Sequence, residues 1–201
     1  DETSFKKCDK ITGYNPETGI FEVYENVQTQ YLPKIEDVDL LKSNQANNYS
    51  TLISNEDVFM GDDVLVLGYP KGKDFSKSPK MSKGIVNSEI GYNNNPNEFI
   101  SDAVSYGGSS GSPVYSTSGN LVGILWGGDE QYVLGKEGLI GVTADPNISF
   151  VLKSSYIKKF LDLNGIEYKT ATNDKELKNK DIGIKERNKI RLLECYAKED
   201  K

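Results

Sequence analysis

The chain has 201 residues, 36% hydrophobic and 27% charged, with a formal net charge of −6. No apolar run approaches the roughly 18 to 20 residues that span a bilayer, and the acidic balance argues against a broad nucleic-acid surface. There is no histidine, which removes His-based general-base catalysis from these residues and most metal-site chemistry, so no metal, nucleotide or redox cofactor is implied.

Three zones differ in texture. Up to about residue 60, short strand-like runs alternate with turns. Gly19 to Tyr24 alternates weakly after the turn Asn15-Pro16-Glu17-Thr18. Gln28 to Leu32 then leads to Asp37-Val38-Asp39-Leu40-Leu41, a short apolar strand behind acidic residues. Residues 61–153 are strongly β in character. Asp63 to Gly68 is a buried strand closed by Tyr69-Pro70-Lys71-Gly72. Lys83 to Ser88, Phe99 to Ala103, Pro113 to Tyr115 and Leu121 to Trp126 follow, the last two flanking the turn Ser118-Gly119-Asn120. Short strands with turn signals at intervals of about 8 to 15 residues predict an all-β barrel or sandwich.

After Ile148 to Leu152, Ser154 or Ser155 caps a closing helix over 154–165, stopped by Asn164-Gly165. Residues 166–201 divide into a charged linker, 171–183, and a second helix expected over Ile184 to Glu199. Its apolar stripe is modest. Cys8 and Cys195 close one disulfide if the two ends meet. Asp1-Glu2-Thr3 is unlike the start of a signal peptide, although a mature secreted chain would look the same. The location expected is extracytoplasmic or secreted.

The strongest local signal for chemistry is Gly107-Gly108-Ser109-Ser110-Gly111-Ser112-Pro113. A serine in a tight glycine turn has an exposed hydroxyl, and neighbouring backbone N–H groups can converge on one point, as an oxyanion hole needs. By itself the same stretch also reads as an ordinary turn between strands.

The order of motifs decides between these. Gly61 to Gly72, Ser82 to Ser88, Phe99 to Ala103, the loop 107–113, Gly119 to Ile124 and Ile148 to Leu152 resemble the chymotrypsin superfamily of serine peptidases. The likeness is strongest to its Deg/HtrA and staphylococcal glutamyl-endopeptidase-like branches and covers about residues 28–165. It implies two antiparallel Greek-key β-barrels, the first incomplete here, with residues 1–60 in the remainder of the N-terminal barrel, 61–153 in the C-terminal barrel, and a helical C-terminal extension.

The resemblance also implies roles. Ser110 takes the nucleophile position, and the N–H groups of Gly108 and Ser110 form the oxyanion hole. Asp37 stands where the acid of the triad belongs, with Asp39 as the alternative. Val104, Ser105, Ile124, Leu125, Trp126 and Gly127 line the first specificity pocket. Val104 stands where a carboxylate would favour Arg or Lys, so a small or medium apolar side chain is expected before the cleaved bond. The substrate implied is a protein or peptide.

The family's histidine, expected between about residue 7 and a point upstream of Asp1, is missing. Either it lies on an upstream segment, held as a separate N-terminal fragment or otherwise, or the chain is a pseudo-peptidase that binds or scaffolds without cutting. Lys6 or Lys7 as a substitute base is a third, weaker reading.

Overall fold

The computed structural model describes residues 8–27, 38–43, 50–71, 76–135 and 138–196. Its centre is a closed six-stranded barrel. The strands are β5 (Asp63–Gly68), β6 (Lys80–Ser88), β7 (Glu98–Ser101), β8 (Pro113–Ser116), β9 (Leu121–Gly135) and β10 (Gly138–Lys153). They run in the order β10-β7-β6-β5-β8-β9, and pairing of β10 with β9 closes the ring.

Strand β5 shows why the barrel forms. Successive side chains on a strand point to opposite faces. Val64 and Val66 join Val86, Phe99, Val114, Val122, Leu125 and Val151 in a cluster drawn from all six strands, which therefore fills the barrel. Leu65 and Leu67 point the other way, into a second cluster with Tyr115, Tyr156 and Ile182. Both faces of β5 are buried, so it reads as a continuous apolar run rather than an alternating one. Each such Val or Leu side chain contributes about 1.5–3 kcal/mol when fully buried.

The outer cluster is covered by three elements. Helix α1 (Ser154–Leu163) buries Tyr156, Ile157 and Phe160. It ends at Asn164, followed by Gly165 at φ +66, as the Asn-Gly pair predicts. No Ser side chain caps its start, and Lys153 holds the cap position in extended backbone. Strand β11 (Lys169–Ala171) pairs in parallel with β4 (Leu52–Ser54), which in turn touches β9. Helix α2 (Asn179–Glu186) buries Ile182 and Glu186.

A second sheet holds β1 (Lys10–Tyr14), β2 (Phe21–Val27), β3 (Leu40–Ser43) and β12 (Leu192–Tyr196) in the order β12-β1-β2-β3. The expected helix over Ile184 to Glu199 is corrected here. The helix begins earlier, inside the expected linker, and stops at Glu186. A 3-10 turn, Arg187–Lys189, follows, and Leu192–Tyr196 is a strand antiparallel to β1. The physical reason is tertiary: β1 offers an open edge, and a short segment with a weak helical stripe gains more by pairing there.

Three further contacts hold that strand. Arg191 Nε donates to Glu22 Oε2 at 2.8 Å, with both side chains 8% exposed. Cys195, opposite Ile11 in the register, is bonded to Cys8 with a Cα–Cα distance of 5.4 Å. Gly13 gives β12 room: a Cβ there would stand 2.7 Å from the Tyr24 ring and 3.0 Å from Leu193. The other side of the sheet, the outer edge of β3, has no strand partner among the described residues.

Candidate active site

The loop between β7 and β8 is built by hydrogen bonds that leave two amides facing outward. Tyr106 O accepts from Ser109 N at 2.9 Å, while Tyr106 N donates to Ser109 Oγ at 3.2 Å. This buries Ser109 at 4% exposure and turns the chain through Gly108 at φ +87. Left-handed backbone of that kind disfavours any residue with a Cβ. Gly111, at φ +83, closes the turn, and Ser112 N donates to Ser109 O at 3.0 Å.

The direction of the free amides follows from peptide geometry. In a trans peptide the C=O and the following N–H point opposite ways. Gly107 O is held by Lys71 N at 2.8 Å, so Gly108 N–H is turned away from Lys71. Ser109 O is held by Ser112 N, so Ser110 N–H is likewise turned outward. Among the described residues neither amide has an acceptor. Such a pair is the donor set that stabilises an oxyanion.

Ser110, which carries the second of these amides, is exposed. Its hydroxyl donates to Trp126 O at 3.1 Å. The returning strand β9 is zipped to the same loop, with Gly111 N donating to Leu125 O at 2.7 Å and Leu125 N to Ser112 O at 2.9 Å. Behind the loop stands Gly68, where a Cβ would collide with Ser112 Oγ. The loop 107–112 therefore rests on the end of β5.

The pocket-wall residues of the sequence reading fall into two groups. Val104 is 38% exposed, with its carbonyl held by Ser82 Oγ at 3.0 Å. Ser105 is buried, its hydroxyl 2.8 Å from Ser149 Oγ, which is 2.9 Å from Ala103 O. A hydroxyl has one proton. When Ser149 gives it to the carbonyl, Ser105 donates to Ser149 and keeps its own lone pairs. Gly128 lies beside this pair: a Cβ there would stand 3.7 Å from Ser105 Oγ and 2.9 Å from Ile148 O. Ile124, Trp126 and Gly127 are partly exposed. Leu125 sends its side chain into the barrel core and contributes only backbone at the site.

Sequence reasoning missed several neighbours. Trp126 stacks on Phe150 at 5.6 Å between ring centroids, and Tyr92 meets both rings edge-on at 6.4 and 5.5 Å. Lys71, at φ +60, carries the latch on Gly107 and places its ammonium 5.3 Å from the centre of the Tyr106 ring. The X-Pro-Lys-Gly turn was visible in the sequence, but its partner was not.

Asp37, Lys6 and Lys7 lie outside the described residues. Asp39 is half-buried, and next to it Val38 packs against the outer core cluster. The start of β3 is thereby brought against the barrel that carries Ser110. Tyr115, five residues after Ser110, anchors the C-terminal strap. Burial pushes its hydroxyl's pKa well up, reinforced by Glu186, to which it is hydrogen-bonded.

The trypsin-like peptidase domain model matches residues 8–124, more than half of the chain. The chain belongs to that family. Solved structures agree in fold. The MamO protease domain from Magnetospirillum magneticum matches with a TM-score of 0.53 at 20% identity, over 75% of each chain. The Rv3671c protease from M. tuberculosis, in its active form, matches at 0.52 and 19%, over 80% of this chain and 71% of that one. The HtrA-type protease AlgW with a decapeptide matches at 0.52 and 22%, over 73% of this chain and 42% of that one. The all-β, trypsin-like reading of the sequence stands, with one closed six-stranded barrel and few helices.

Proposed function

We propose that this trypsin-like peptidase chain carries the nucleophile side of a serine endopeptidase. The observation that carries the reading is the exposed Ser110 in a turn whose Gly108 and Ser110 amides have no acceptor among the described residues. Ser110 Oγ attacks the carbonyl carbon of the scissile peptide bond. A base takes the serine proton, the two amides stabilise the oxyanion, and the base passes that proton to the amine, which leaves to give an acyl-serine that water hydrolyses. Asp37, or Asp39 beside it, orients the base.

The 201 residues hold no histidine, so a histidine base comes from outside them, on an upstream segment or a separate fragment. Val104, Ser105, Ile124, Trp126 and Gly127 surround the side chain before the cleaved bond, with Leu125 fixing the strand. The exposed Val104 and the lack of a carboxylate there favour a small or medium apolar residue.

The missing histidine favours one other reading, a pseudo-peptidase that keeps the fold for binding. Labelling with a fluorophosphonate, read by mass spectrometry with Ser110→Ala as control, separates the two. The probe needs an activated serine in an oxyanion hole. Modification at Ser110 supports the peptidase. A folded sample that stays unlabelled, even when an upstream segment bearing the histidine is supplied, leaves the binding role.

A further inference from the structure

Away from Ser110, helix α2 leaves a groove against the start of β6, a cavity of about 280 Å³. It is lined by the apolar side chains Leu67, Met81 and Ile184 and by the cationic residues Lys80, Lys180 and Arg187. Lys180 and Ile184, one turn apart, share a face of α2, and Arg187 joins them from the 3-10 turn that follows. Gly183 allows the helix to approach: a Cβ there would stand 3.0 Å from Met81 Cε.

Ile184 is 52% exposed and Met81 38% exposed, so the groove leaves apolar surface in water. No carboxylate is among the lining residues. Lys180 and Arg187 make no ion pair among the described residues. The chain as a whole carries −6. The groove is thus a local cationic site on an anionic molecule, and its field selects a ligand of negative sign.

We propose that this groove docks an acidic peptide segment anchored by one leucine-sized aliphatic side chain. The volume suits one such side chain with its adjoining backbone, and is below that of most drug-sized pockets. Flanking carboxylates meet Lys180 and Arg187, and the aliphatic group covers Met81 and Ile184. The position gives docking a route to the nucleophile loop. Leu67 and Met81 are partners in the β5–β6 register, and the next pair is Gly68 and Lys80. Gly68 is the residue that backs onto Ser112. The groove is an exosite beside the strand end that supports the loop.

The two methionines make a direct test, since Met81 lies in the groove and Met60 lies outside it, on the exposed loop before β5. The whole chain is labelled with 13C-methyl methionine and titrated with the amidated peptide acetyl-Glu-Leu-Glu-Asp. The Met81 methyl signal is expected to shift saturably while Met60 stays in place. Replacing the leucine by serine, or the three acids by glutamine, weakens the effect about tenfold. Lys180→Glu with Arg187→Glu does the same, and a dispersed amide proton–nitrogen spectrum matching the wild type reports that this variant is folded. The proposal is overturned if Met81 does not shift with peptide on the order of 1 mM. It is equally overturned if the glutamine peptide or the charge-reversed variant binds as well.

Discussion

The backbone N–H of Lys71 holds the carbonyl of Gly107 at 2.8 Å. Through the shared peptide plane, this contact aims the N–H of Gly108. The direction of that amide is therefore set by a residue on a different loop, and it depends on Gly108 keeping φ +87. Gly108→Ala is expected to cost about 1–2 kcal/mol of stability from the left-handed backbone. In protein that labels at Ser110, the labelling rate falls about a hundredfold as the amide turns away. Urea unfolding and labelling kinetics on the same samples measure the two effects.

Gly68→Ala tests the support beneath the loop. The added Cβ runs into Ser112, whose Oγ and Cβ both lie inside normal contact range. Overpacking of this kind costs about 1–3 kcal/mol. Ser112→Gly removes the obstructing atoms, so the double variant should recover most of the loss. Additive losses in a double-mutant cycle would show that the two residues do not press on each other.

Acid should loosen the β12 strap through Glu22. Burial pushes this carboxyl up, but hydrogen bonds from Arg191, Tyr24 and Asn15 outweigh it and hold the pKa below the usual 4.5. A depressed carboxylate pKa contributes stability above the unfolded value, and that stability is lost as pH falls through the folded one. The wild-type chain should therefore lose stability below about pH 4.5 more steeply than Glu22→Gln does. The variant starts weaker at neutral pH, because it strands the buried Arg191 at a cost of about 3–5 kcal/mol. Thermal melts at a series of pH values separate the two curves.

At the alkaline end, Tyr24 and Tyr69 are both pushed up to about 12, each mainly by burial, with Glu22 adding to the effect at Tyr24. A phenol with a raised pKa contributes stability that is complete below about pH 10 and is lost as pH rises towards 12. Absorbance titration near 295 nm should show a late tyrosinate phase. Tyr24→Phe and Tyr69→Phe should each remove part of it.

What the sequence made legible was decided by range. Strand β5 announced itself as an unbroken apolar run, and its predicted bounds, Asp63 to Gly68, are those observed. The turn through Gly108 to Ser112 was legible because glycine and serine at fixed offsets encode it locally. Helix α1 ended where Asn164-Gly165 said it would. The failures involve partners far away in the chain. Leu192–Tyr196 is a strand only because β1 has an open edge almost the whole chain away. Lys71 matters only because Gly107 comes to meet it. The hairpin of β9 and β10 runs far beyond the predicted Trp126, since strand length is set by the neighbour it pairs with.

The Cys8–Cys195 bond has a separation of 187 residues, so nearly the entire chain is one covalent ring. A protease that nicks any bond between those two cysteines opens the ring without releasing a fragment. Both pieces stay tethered, and each remains at a high effective concentration for the other. A single cut should pass unnoticed on a gel until a reductant is added.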